Sequence, residues 1–197
     1  MSATKQARGL VPSRIRGAGY NSAGTNEYSI ASGAAASMYT GQPVRVSAGY
    51  VVALTSAGES TDGVFQGCRY VENGEQKFKA YWTGGTSATD AVAYVIDNPS
   101  QTYIIQCNST ITQAAVGQNV AVSGVGGGST FTGQSAMVAK ASTVGTGVLD
   151  LKIIGVVNEP GNAVGDAYTK IEVTQALHSD NFRQVYVTAP VTSTDGN

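Results

Sequence analysis

Apolar residues along this chain alternate with polar ones over short stretches and then give way to glycine, proline or asparagine, a period of two rather than of a helical turn. Tyr28-Ser29-Ile30-Ala31 alternates, Met38-Tyr39 resumes after small residues, and Gly41-Gln42-Pro43 forms a turn that feeds Val44-Arg45-Val46. Ala48-Gly49 reverses the chain into Tyr50-Val51-Val52-Ala53-Leu54, an unbroken apolar run that predicts burial on both faces. Between Gly63 and Val71 the alternation slips by one, which predicts a bulge at Gly67. Asn73-Gly74 is the strongest hairpin signal in the chain. Both residues tolerate positive φ, and alternating stretches flank them, the second running through residues 77–82.

Residues 91–96 and 102–107 are β-branched and aromatic runs on either side of Asp97-Asn98-Pro99-Ser100, which predicts a second hairpin. Asn119-Val120-Ala121-Val122 reads as a short strand, and the glycine-rich residues 124–128 read as a flexible loop tip. Late strands are expected within residues 134–140, 148–157 and 168–176, the last unless residues 172–178 make a short helical turn. Strand signals separated by Gly, Asn and Pro, with no repeat of fixed period, predict an all-β chain: a β-sandwich or barrel-like body with little helix.

Composition narrows the class. Of 197 residues, 42% are hydrophobic and only 13% charged, about half the usual globular share, and 25 are glycine. That excludes a coiled coil, a charged helical bundle and a charge-rich disordered protein. Cys68 and Cys107 fit no zinc or redox spacing and read as small buried hydrophobes. No apolar leader region and no run near the ~18 apolar residues of a membrane span is present, so a soluble chain made in a cytoplasm is expected, with no membrane partner. The net charge of −1 gives no reason to expect nucleic acid as a partner.

The distribution of charge says more than its total. Four of the twelve basic residues precede Asn26 and none of the thirteen acidic ones does, leaving eight basic against thirteen acidic residues in the remainder. Residues 1–26 therefore read as an extended basic N-terminal arm, residues 27–187 as the β-rich body and residues 188–197 as a polar C-terminal tail. Within the arm, Lys5, Arg8, Arg14 and Arg16 supply charge, and Leu10, Val11 and Ile15 supply apolar anchors. Together they are the candidate partner-binding residues.

Catalytic chemistry finds little support. His178 is the single histidine, no Gly-x-Ser-x-Gly elbow surrounds a serine, and acidic residues near turns, such as Glu72 with Glu75, read as solvated turn charges. Residues 124–128 do not complete a dinucleotide-binding glycine pattern, and Gly145-Thr146-Gly147 precedes a strand rather than a helix. Neither an enzyme nor a cofactor or metal is expected. Low charge with abundant Val, Tyr and Ala points instead to a structural or adhesive subunit that hides apolar surface in a symmetric homo-oligomer.

Several stretches together resemble a known family: Gly9-Leu10-Val11-Pro12-Ser13-Arg14, Tyr28-Ser29-Ile30, Tyr39-Thr40-Gly41-Gln42-Pro43-Val44, Gly63-Val64-Phe65-Gln66-Gly67 followed by Tyr70, Lys79-Ala80-Tyr81-Trp82, Val92-Ala93-Tyr94-Val95 before Pro99, and Gly165-Asp166-Ala167. They resemble the head decoration, or cement, proteins of tailed bacteriophages. The likeness is a pattern of structural positions over most of the chain, and residues 124–128 depart from it. It implies a β-rich virion subunit, trimeric, that binds the major capsid protein on the outside of an assembled head and bridges capsomers against internal pressure, with Arg14 and its neighbours in the arm laid on the lattice. The alternative is a head fibre or host-surface adhesin that binds glycans through exposed loops and tyrosines.

Overall fold

A computed structural model describes residues 5–17 and 24–180, so the expected tail at residues 188–197 and the end of the body at residue 187 lie outside the described residues. The first strands are β1 (Val11–Ile15), β2 (Asn26–Ser29), β3 (Met38–Tyr39), β4 (Gln42–Ser47), β5 (Tyr50–Ala53), β6 (Gly63–Glu72), β7 (Glu75–Lys79) and β8 (Tyr81–Trp82). They are followed by β9 (Thr89–Ile96), β10 (Gln101–Gln106), β11 (Asn119–Val120), β12 (Val122–Ser123), β13 (Val138–Ala139), β14 (Leu151–Val156) and β15 (Lys170–Gln175). Single 3-10 turns at Gln113–Ala115 and Ala141–Thr143 are the helical content of the described residues, none of it long and apolar enough to cross a membrane. The protein is all-β and sandwich-like.

One sheet has five antiparallel strands in the order β1-β10-β15-β14-β11; the other runs β2-β9-β6-β4-β5, with β7 also paired to β6. Two-stranded ladders, β3-β8 and β12-β13, complete the body. Apolar residues gather into two clusters. The first lies on the inner face of the five-stranded sheet, where Tyr103, Ile105, Ile153, Ile171 and Val173 pack with Leu10 and Met137. The second lies within the six-stranded sheet, whose edge strands β2 and β5 approach one another, so that the sheet curls around Phe65, Tyr70, Val95 and Trp82. β6 serves both: Val64 belongs to the first cluster and its neighbour Phe65 to the second, as the alternation of side chains along a strand requires.

Local signals were followed closely. β6 and β7 pair Glu72 with Glu75 across Asn73 and Gly74, whose φ angles of 54° and 79° are those of a tight two-residue turn. The register between β6 and β9 shifts between Phe65 and Gly67, the expected bulge, and this keeps Phe65, Cys68 and Tyr70 on one face. Residues 172–175 continue the last strand rather than turning into helix.

Three expectations are corrected. The runs flanking Asp97-Asn98-Pro99-Ser100 do not form a hairpin: β9 lies between β2 and β6 in the six-stranded sheet, and β10 between β1 and β15 in the other. The four residues are a corner between sheets, because both long edges of each strand are already taken by other partners. The run at Tyr50–Ala53 is buried on one face only, since β5 is an edge strand with Val51 and Ala53 inward and Tyr50 44% exposed. Residues 124–128 are braced rather than loose: the Gly127 amide donates to the Gly124 carbonyl at 3.1 Å, the Ala136 amide donates to the Gly127 carbonyl at 2.9 Å, and Gly128 lies so close to the Tyr39 ring that a Cβ would stand 2.2 Å from it.

Cys68 and Cys107 are free and buried, and burial pushes their thiols up to about 11 and about 12. Because the thiolate is the reactive form, neither should react with an aromatic disulfide reagent at pH 8 in the native protein, and both should react at once in urea. Colour developing from either thiol without denaturant would contradict this burial.

Candidate functional site

The N-terminal segment does not stand apart from the body. Gly9 and Gly41 meet back to back: the Leu10 amide donates to the Gly41 carbonyl at 2.8 Å, and a Cβ on Gly9 would stand 2.4 Å from that oxygen. Both glycines have positive φ, 67° and 84°, so a side chain at either position meets steric and backbone strain together. The chain then enters β1, which pairs with β10 as the edge of the five-stranded sheet (Val11 opposite Ile104, Pro12 opposite Tyr103). The expected boundary at residue 26 therefore separates charge but not structure, because residues 9–15 are built into the sheet and its core.

The expected partner-binding residues divide accordingly. Leu10 is fully buried in the first cluster and is not available to a partner; the reading of it as a surface anchor is corrected. Val11 is 40% exposed, Ile15 is half-buried, and Lys5, Arg8, Arg14 and Arg16 are exposed. Arg14 already has a partner within the chain. Its Nε and Nη2 donate to the two carboxylate oxygens of Glu172 at 2.8 and 3.0 Å, a bidentate clasp from β1 across β10 to β15. The buried Thr102 hydroxyl, 2.8 Å from Glu172 Oε1, accepts from the Arg14 amide at 3.2 Å.

Hydrogen bonds from Arg14 hold the Glu172 carboxyl below the usual carboxylate range, against the opposing effect of its partial burial. A carboxylate with a lowered folded pKa contributes stability that is complete above its unfolded pKa of about 4.3 and disappears as pH falls through the folded value. Glu172→Gln is thus expected to flatten the acid limb of stability below about pH 5 and to leave its shape near neutrality unchanged, as read from urea midpoints against pH. An unaltered acid limb would mean that the clasp does not hold in solution.

Sequence reasoning missed the basic residues that the fold brings onto the same sheet as the arm. Lys152 on β14 and Lys170 on β15 occupy the outward positions of alternating strands, between Leu151 and Ile153 and before Ile171. Alternation marked them as outward; nothing local marked that their strands would share a sheet with β1. Beside Arg8 a cleft of about 180 Å³ is lined by Gln6, Val11, Ile104, Glu159 and Lys170. Lys170 pairs with Glu159 at 2.6 Å, whereas Arg8 reaches only the amide oxygen of Gln6, at 3.4 Å, and has no carboxylate partner among the described residues.

His178 is fully buried, its Nδ1 accepting from the Asp180 amide at 3.2 Å and its Nε2 without a hydrogen-bond partner among the described residues. Among the described residues no three His, Cys, Asp or Glu side chains gather as metal ligands. Phe131, 97% exposed, caps the braced loop between β12 and β13. No protein-family model matches the chain, and neither a curated protein nor a solved structure matches it significantly.

Proposed function

We propose that this protein is a structural virion subunit that decorates the outer surface of a bacteriophage head, binding the major capsid protein and stabilising the shell by bridging capsomers as a homo-oligomer, with a trimer favoured. The observation that carries this reading is the pairing of a charge-poor, all-β body with one outward sheet face on or beside which Arg8 and Lys152 have no carboxylate partner among the described residues. Such a body presents a rigid platform, and unpaired cations on it supply attachment rather than internal stability. The spread of family-like positions from Gly9 to Ala167 supports the same reading. Co-sedimentation of the purified protein with purified heads tests it: saturable coating that weakens with rising salt is expected, and a protein that stays in the supernatant at every salt concentration would overturn it.

Phe131 favours a second reading, a head fibre or host-surface adhesin that binds glycans, because an aromatic ring held out on a hydrogen-bonded loop can stack on a sugar. Phe131→Ala separates the two. It should leave coating of heads unchanged under the decoration reading and abolish attachment to host cells under the other.

A further inference from the structure

We infer that the outer face of the five-stranded sheet, centred on the cleft beside Arg8, docks an acidic segment of another protein in which carboxylates are flanked by aliphatic side chains. The inference rests on the decoration reading only for the partner's identity; the chemistry comes from the face itself. Arg8, Arg14, Arg16, Lys152 and Lys170 lie on or beside it against two carboxylates, Glu159 and Glu172, while the rest of the described chain carries six cations against ten carboxylates. A surplus of positive charge is therefore gathered on one face of a body that is otherwise negative. Intramolecular pairing does not use it up: Glu172 takes Arg14 and also feels Arg16, and Glu159 takes Lys170, which leaves Arg8 and Lys152 without a carboxylate partner among the described residues.

The cleft gives the face a specific shape. Its apolar part is Val11 with Ile104, which lie directly opposite one another in the ladder, and its polar rim is Gln6, Arg8 and the Lys170–Glu159 pair. A guanidinium that reaches only an amide oxygen, beside an apolar floor, fits a carboxylate whose chain neighbour is aliphatic: two N–H groups can grip the oxygens while the stem and the floor bury the methyl groups. A nucleic-acid backbone fits less well. Glu159 and Glu172 would stand against its phosphates, and the floor offers no aromatic ring for a base. Arg8 and Lys152 are exposed, so their replacement removes charge without opening the core.

The test uses the full chain labelled with ¹⁵N and three probes: an eight-residue peptide alternating glutamate with leucine, the same peptide with lysine for glutamate, and a twelve-residue oligothymidylate. The glutamate peptide should shift the amides of Gly9, Val11, Ile104 and Lys170 saturably, and Arg8→Glu with Lys152→Glu should weaken that binding at least tenfold without moving the melting temperature. The lysine peptide should not bind. Shifts confined to other residues, undiminished binding by the charge-reversed variant, or tighter binding of oligothymidylate at this face would overturn the inference. So would a rise in mass with protein concentration, without peptide, that the same reversals abolish, since that would assign the face to a second copy of the chain. On purified heads the two proposals separate: equal coating by wild type and by the charge-reversed variant defeats the docking face and leaves decoration standing, whereas peptide binding without any coating defeats decoration and leaves the face.

Discussion

Leu10→Ala is expected to destabilise the protein by about 2–5 kcal/mol, and deletion of residues 1–16 to prevent folding altogether. Leu10 is fully buried in one cluster with Val64, Tyr103, Ile105 and Met137, residues that come from distant parts of the chain. Truncation of a buried leucine costs the lost transfer free energy together with a term for the cavity, which sets that range. Deletion adds a larger loss, because it strips β1 from β10, exposes the edge of the five-stranded sheet and leaves Glu172 without its arginine. A freely attached arm would behave otherwise: its removal would leave the urea midpoint of the body unchanged. Equilibrium denaturation of the point variant, with soluble expression and circular dichroism of the deletion, reads the difference directly. A body that stays folded after deletion would show that residues 9–15 leave the sheet in solution.

What could be read from the sequence was what is decided within a few residues. The Asn73-Gly74 turn needs only the φ preferences of two residues and the alternation beside them, and the bulge at Gly67 appears as a one-residue slip in that alternation. Strand partners are decided elsewhere. Residues 97–100 have the composition of a hairpin turn, and the choice between turning back and crossing to the other sheet depends on β15 and β1, neither adjacent in sequence to β10. The arm shows the same limit. Its few apolar residues make no periodic face of their own, so nothing local placed Leu10 in a core; the face is completed by β10, β14 and β15. The partner of Arg14 lies 158 residues away, so one charge that a linear count assigned to attachment holds the sheet together instead. The candidate site was legible as an excess of basic residues near the N-terminus but not as a face, because Lys152 and Lys170 reach it only through the order of the sheet.

Phe65→Ala is expected to cost about 3–5 kcal/mol, and its effect should be felt in both clusters at once, although Phe65 belongs only to the second. The reason is the shared wall. Val64 and Phe65 are successive residues of β6 facing opposite ways, so the backbone between them cannot shift to close a cavity on one side without disturbing the other. A hydrogen-bonded path leads across the same wall: the Leu10 amide donates to the Gly41 carbonyl at 2.8 Å, and the Gly41 amide donates to the Phe65 carbonyl at 2.8 Å. Trp82, the single tryptophan, is fully buried in the second cluster with its ring edge-on to Tyr70 at 5.3 Å, so its fluorescence reports that cluster alone, while far-ultraviolet circular dichroism reports strands of both. For wild type, Leu10→Ala and Phe65→Ala alike, the two signals should therefore give coincident urea midpoints, with Leu10→Ala lowering the midpoint of Trp82 even though the substitution lies in the other cluster. A Trp82 midpoint unmoved by Leu10→Ala, with circular dichroism resolving into two steps, would instead show two separately folding units joined by β6.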